Sequence, residues 1–302
     1  MNSFLKITTS ALSIAFCISL TSCEKDSLLS PMASDARSSD NFREAVTPVI
    51  NPTIPKKYTL IKMGGYELTY QADGKLAGVK KGNKFTTYEY LPNLYKIIAH
   101  SWQPVGNGYE EYRKIVIDLY GGTSAARAEI WAKSNNSNAL YKIKTLAFTY
   151  ENHRLIKCND EDSPYSNKST IFTYNNDGDL TSAKVQNYNT VFYVDQYTYG
   201  GSGSPLKDSH PYNPQFSFFG EGEDEGTELM FLPVFGTFNK HLVQTVSRIQ
   251  NAPYKVLFNY AYKYDLNADG HVTERERWNQ TINQKIATDL YQYKVENLAI
   301  NP

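Results

Sequence analysis

The sequence predicts an all-β domain of antiparallel hairpins over residues 57–302, and three observations predict it. Tyrosine is the compositional outlier, with 24 Tyr against 14 Phe and 3 Trp. Aromatic rings suit a pleated, half-buried surface, and tyrosine tolerates one wet end. The second observation is alternation. Tyr66, Leu68 and Tyr70 alternate with Glu67, Thr69 and Gln71, and Leu146, Phe148 and Tyr150 with Ala147 and Thr149. Val256, Phe258, Tyr260, Tyr262 and Tyr264 do the same later, as do Tyr291, Tyr293 and Val295. Period 2 marks a strand with one buried and one wet face. The third is a repeated turn: Tyr70-Gln-Ala-Asp73-Gly74-Lys-Leu76 matches Tyr174-Asn-Asn-Asp177-Gly178-Asp-Leu180. Tyr264 to Val272 repeats it with two extra residues before Asp269-Gly270, and Tyr150 to Leu155 is a weaker copy without glycine. Asp-Gly between alternating segments is a hairpin signal, because glycine supplies the positive φ of a tight turn.

Residues 1–22 form a separate element. Lys6 precedes an apolar run from Ile7 to Leu20, which is too short for a spanning helix and has the length of an export signal. It ends at Leu20-Thr21-Ser22-Cys23, which resembles the lipobox of bacterial lipoproteins. That resemblance implies cleavage before Cys23, lipidation of Cys23, and attachment of everything beyond it to a membrane. Glu24-Lys25-Asp26 behind the cysteine resembles the surface-export signal of Bacteroidetes lipoproteins, which implies the outer face of the outer membrane. Residues 23–56, rich in Ser, Pro, Asp and Asn, read as a disordered tether.

The Tyr-x-x-Asp-Gly-x-Leu units resemble the YD-type repeats of large bacterial surface proteins. Lipobox, tether, tyrosine-rich hairpins and a late Pro-containing loop before Asn239-Lys240-His241-Leu242 together resemble a family of Bacteroidetes lipoproteins of unknown function with a porin-like fold. The resemblance covers residues 57–302 and implies a long antiparallel meander curling into a barrel or half-barrel. It carries no functional residues. Alternation alone fits a lipid-facing barrel as well as a water-facing one. The lipobox, and an end at Asn301-Pro302 where integral barrels carry an aromatic residue, favour the water-facing form.

Residues 200–248 break the rhythm, with a Gly/Ser loop at 200–205 and five carboxylates among residues 221–228. Phe238, Leu242 and Val246 fall on one side of a helical wheel, so one short helix is expected near 237–248.

The chain carries 31 basic and 31 acidic side chains, a balance that gives no electrostatic footprint for nucleic acid. Beyond the leader and Cys23, the remaining cysteine, Cys158, has no recognisable His and Asn partners and reads as a half-buried thiol. The sharpest motif is Asp265-x-Asn267-x-Asp269-Gly270-His271-x-x-x-x-Glu276, which fits the calcium-loop pattern at every required position. A calcium loop of that type follows a helix, whereas Tyr260, Tyr262 and Tyr264 alternate as a strand does. The segment is therefore read as a lengthened hairpin turn, with Ca²⁺ as the alternative and no other cofactor expected. Histidine spacing fits no zinc motif, and no nucleophile elbow or phosphate loop occurs. Trp102, Trp131 and Trp278 offer rings for sugars, against the commoner role of aromatic stripes as core. The reading these features favour is a lipid-anchored surface protein that binds a glycan or an outer-membrane protein partner. The alternatives are a carboxylate-based hydrolase such as a glycosidase, and a structural or adhesive surface protein.

Overall fold

The computed structural model describes residues 55–134, 139–162, 168–200, 205–209, 227–237 and 239–298. Cys23 and most of the acidic segment at 221–228 lie outside them. Alternation becomes strand throughout. The first strands are β1 Lys56–Met63, β2 Tyr66–Tyr70, β3 Leu76–Lys81, β4 Lys84–Leu91, β5 Lys96–Val105 and β6 Gly108–Tyr120. Next come β7 Ser124–Lys133, β8 Leu140–Glu151, β9 Arg154–Asp160, β10 Lys168–Tyr174, β11 Leu180–Asn187 and β12 Thr190–Thr198. After a long connection follow β13 Thr245–Asn251, β14 Tyr254–Leu266, β15 Val272–Asn279 and β16 Gln284–Asn297. Each pairs antiparallel with its sequence neighbour, and β1 pairs with β16 from Lys56↔Asn297 to Met63↔Tyr291, closing a sixteen-strand barrel. Closure removes every unpaired sheet edge.

The ladder register assigns the two faces. Leu60, Ile97, Ala99, Ile115, Ile117, Phe148 and Tyr197, from strands all round the barrel, belong to one buried cluster with Leu229, Leu232 and Phe235 of the β12–β13 connection. Only the lumen brings such residues together. The opposite face carries ion pairs: Lys96 with Asp118, His100 with Glu111, Arg127 with Glu161, and Lys285 with Glu276. The outer face carries these charges, and the lumen holds the apolar cluster together with a few ion pairs.

The turns joining β2–β3, β10–β11 and β14–β15 are superimposable in their bonding. Gly74 N–H donates to Gln71, Gly178 to Asn175 and Gly270 to Asn267, at 3.0–3.1 Å, with φ of +84°, +93° and +84° at the three glycines. A bulge at the turn follows Thr69, Thr173 and Asp265. The third turn has the length of the others. The two extra residues extend β14, so that Leu266 occupies the place of Tyr70 and Tyr174.

These tyrosines share one bond. Tyr70 Oη donates to the Leu60 carbonyl at 2.7 Å, Tyr90 to Leu76 at 3.0 Å, Tyr174 to Leu155 at 2.8 Å, Tyr199 to Leu180 at 2.9 Å and Tyr264 to Val243 at 2.6 Å. Leu76, Leu155 and Leu180 are the closing leucines of the turn motif itself. The units at 70–76 and 174–180 thus each supply a ring to one neighbour and a carbonyl to the next.

The helix expected near 237–248 is absent. Residues 239–244 run as irregular chain, and Thr245–Asn251 is strand β13, paired with β12 on one side and β14 on the other. Leu242 and Val246 are buried as the helical spacing suggested, but on an extended chain. The open ladders of β12 and β14, together with β-branched Thr245, Val246 and Ile249, outweigh a three-residue helical pattern. Among the described residues the helical pieces are two short 3₁₀ turns, Pro92–Leu94 and Thr227–Phe231.

Replacing Tyr174 with Phe leaves the Leu155 carbonyl without its side-chain donor. We predict a loss of about 1 kcal/mol, or a melting temperature lower by about 2–4 °C in a calorimetric scan. Tyr254→Phe, at an exposed ring, should leave the scan unchanged.

Candidate functional site: the strapped end of the lumen

The barrel has two ends, and the odd features gather at one. The chain enters there at Lys56 and leaves at Asn297, and the three Asp-Gly turns lie there too. The β12–β13 connection starts from the same end, and its described residues 227–237 and 239–244 fold inward as a strap. Backbone bonds stitch it down: Ala125 N–H donates to Val234 at 2.8 Å, and Gly236 bridges to Arg154. Gly236 has φ +85°, and a Cβ there would stand 2.8 Å from the His153 carbonyl, so the contact needs glycine.

The strap's firmest tie is Asp179, at the start of β11, whose side chain is 1% exposed. It accepts from Lys240 N–H at 2.7 Å and His241 N–H at 3.0 Å, and its second oxygen meets His241 Nδ1 at 2.7 Å. Burial pushes this carboxyl up, but the imidazole and the two N–H donors outweigh burial and hold it below the ordinary aspartate value.

Between the strap and the lumen face of β1–β6 lies a cavity of about 800 Å³. Leu60, Leu68, Leu76 and Ile97 line its wall, and Met230 to Val234 its strap side. Tyr58, Tyr70 and Tyr90 present their rings, and all three hydroxyls are already engaged, with Asp269, Leu60 and Leu76. Burial pushes the Tyr70 and Tyr90 phenols up to about 12. Asp73, Lys75, Thr123, Ser124 and His153 stand where the lining meets the turns. Asp73 is the sole carboxylate of the lining, and Lys75 Nζ at 2.6 Å holds it below its ordinary value.

The far side of the lumen is packed by paired charges. Arg248 makes two bonds to Asp195, at 2.7 and 2.8 Å, and lies 4.2 Å over the Tyr193 ring. Arg275 pairs with Asp289 at 2.7 Å and covers Tyr262. Burial pushes Asp195 above the ordinary aspartate value even with Arg248 against it, as expected where desolvation rivals attraction.

The calcium-pattern residues form the β14–β15 hairpin and its flanks. Asn267 Oδ1 accepts the N–H groups of Asp269 and His271, Asp269 binds Lys56 and Tyr58, and His271 stacks on Tyr58 at 3.9 Å. Asp265 pairs in register with Glu274, while Glu276 is bonded to Trp278 and Lys285. Binding Ca²⁺ here would require Asp269 and Glu276 to leave these partners. Trp102, Trp131 and Trp278 stand on the outer wall. Cys158 faces the lumen fully buried, and burial pushes its thiol up to about 12. Sequence reading singled out 200–248 as a break in the strand rhythm but missed Asp179, which ties that connection down. Asp179 differs in kind from Lys75 at the matching turn position, and that difference was the available signal.

No family model matches the chain, and no curated protein does. Solved structures do. A porin-like protein from Bacteroides uniformis ATCC 8492 aligns with TM-score 0.53 at 15% identity, over 76% of this chain and 89% of that one. A porin-like protein from Bacteroides vulgatus ATCC 8482 aligns with TM-score 0.52 at 16% identity, over 79% and 99%. The chain has a porin-like fold. The likeness is one of architecture, and what this porin-like barrel holds is decided by its own lumen.

Asp179 bonds in its charged form, so its contribution is present above about pH 4 and lost as pH falls through its lowered folded value. We predict that Asp179→Asn destabilises the barrel by about 1–3 kcal/mol at pH 7 in urea melts. The gap to wild type should narrow toward pH 3. A gap independent of pH would mean that the charge plays no part in holding the strap.

Proposed function

We propose that the protein is a lipid-anchored binding module of the bacterial surface, tethered through Cys23 to the outer membrane, with its ligand site in the cavity beneath the strap. The observation that carries this reading is the cavity itself: about 800 Å³, closed on one side by the barrel wall and on the other by the strap. That is within the roughly 300–1,000 Å³ range of small-ligand sites. A recess of this shape suits a small ligand or a chain end, such as the terminus of a glycan, better than the flat face of a partner protein.

Hydrolysis of a glycoside requires two carboxylates flanking the bond. The cavity lining offers one, and Asp73 is spent on Lys75. Binding without turnover is the chemistry this lining supports. The charged outer wall fits the same reading, because a membrane-spanning barrel needs an outward apolar band about 25 Å tall. Here Lys96–Asp118 and Lys285–Glu276 occupy outward positions.

The test uses the chain without residues 1–23 on a panel of polysaccharides and oligosaccharides, scored for retention and for cleavage. Retention without cleavage is expected, and new reducing ends would overturn the reading. In whole cells Cys23→Ala should move the protein from the membrane to the soluble fraction, because the acyl chains supply the membrane affinity.

A further inference from the structure

The lining of the cavity specifies more than its size. Its depth is hydrocarbon and ring: Leu60, Leu68, Leu76 and Ile97 on the wall, with Met230 and Leu232 on the strap. The three tyrosines have no donor to spare, because Tyr70 and Tyr90 give their O–H groups to backbone carbonyls and Tyr58 gives its own to Asp269, which leaves only acceptor lone pairs on the phenol oxygens. A polar group reaching inward meets aliphatic side chains and, at most, those oxygens, so a polar body would recover little of its lost hydration there.

The mouth is different in kind. Thr123, Ser124 and Thr237 bring hydroxyls, and Lys75 and Asp73 neutralise each other. Beside them the β4–β5 and β6–β7 turns leave Leu94, Tyr95 and Tyr120 exposed. Tyr95 belongs to this lip by contact: its carbonyl accepts the Leu119 N–H at 2.7 Å, and its ring stands 3.3 Å from where a Gly122 Cβ would be. Leu119 and Gly122 both line the cavity. An apolar depth, a hydroxyl-bearing mouth whose one ion pair is internally satisfied, and an aromatic lip describe one kind of molecule.

We propose that the cavity takes a single-chain amphipath, its hydrocarbon tail inserted beneath the strap and its neutral, hydroxyl-rich head at the mouth against Tyr95. This rests on the binding-module reading above and names the ligand class for the same site. Met230 and Phe231 are tail contacts. Thr123 sets the width of the mouth.

The test is a series of alkyl maltosides of increasing tail length, each kept below its micelle concentration, titrated calorimetrically into the chain without residues 1–23. Each added methylene should tighten binding about fourfold, up to the length the cavity holds, after which affinity should level off. Maltose alone should show no binding. Met230→Glu, which places a charge among the tail contacts, should weaken the longest tight-binding member by at least about tenfold, while Met230→Leu should not. If Met230→Glu fails to fold, Thr123→Trp at the exposed mouth replaces it, with the same loss expected. Three results would overturn the proposal: affinity independent of tail length, affinity that climbs without levelling and ignores both variants, or no binding of any member. Free glycans binding with alkyl maltosides silent would overturn the tail assignment and leave the binding module standing. Silence of both ligand sets would sink the two together.

Discussion

A closed sheet of sixteen strands encloses more space than aliphatic side chains fill, and the tyrosine hydroxyl bonded to a backbone carbonyl is how this chain begins to fill it. Each ring spans from the end of one strand to the start of the strand before it, as Tyr174 does to Leu155 and Tyr199 to Leu180. The bond lets a large ring go inside without stranding its polar end, which would otherwise cost its full desolvation. It also ties neighbouring hairpins by a contact that does not depend on the ladder. Barrel size thus accounts for the inward-facing part of the tyrosine excess.

Rings alone do not close the end, and the strap completes what they start. Leu229, Leu232, Phe235 and Leu242 join the cluster to which the wall contributes Leu60, Ile117 and Leu146. Asp179 fixes the strap by an oxygen count that leaves little freedom: two backbone donors on one atom and an imidazole on the other. Around the strap the result inverts the usual chemistry of a transmembrane barrel, with hydrocarbon within, while the far side of the lumen keeps Arg248–Asp195 and Arg275–Asp289 as paired charges. The overall fold is shared with the porin-like structures. The cavity at the strapped end is a product of this inversion, since it lies where strap and wall do not quite meet.

Much of the fold was legible in the sequence because its signals are local. Alternation around Tyr262 and the Asp-Gly turns at 73, 177 and 269 need only neighbours to act, and each became the strand or hairpin it spelled. The third turn was read as lengthened because its tyrosine lies two residues further off, whereas the turn is of ordinary length and the strand is longer. Chemistry of the Tyr-to-carbonyl bond pairs residues 21 apart at Tyr264 and 84 apart where Tyr150 reaches Val234 of the strap, too far for any spacing rule to find. The helix expected near 237–248 failed for a related reason: three apolar residues at helical spacing cannot report that β12 and β14 each have an open side waiting. The cavity was invisible for the plainest reason, since it is bounded by β1–β6, by turns and by a strap some 150 residues later in the chain.

The central claim is that the lumen is packed, with hydrocarbon, the strap and a few inward charges paired to one another, while the outer face is the one that meets water. Cysteine labelling tests it directly. Starting from Cys158→Ala in the chain without residues 1–23, single cysteines at Glu129 on the outer face, at Ala128 on the inner face and at Val234 on the strap are exposed to a charged, water-soluble thiol reagent. The account predicts rapid reaction at Glu129→Cys, and reaction at Ala128→Cys and Val234→Cys only after unfolding in denaturant. Fast labelling at Ala128→Cys with protection at Glu129→Cys would contradict it, because that is the pattern of a water-filled lumen behind a lipid-facing wall.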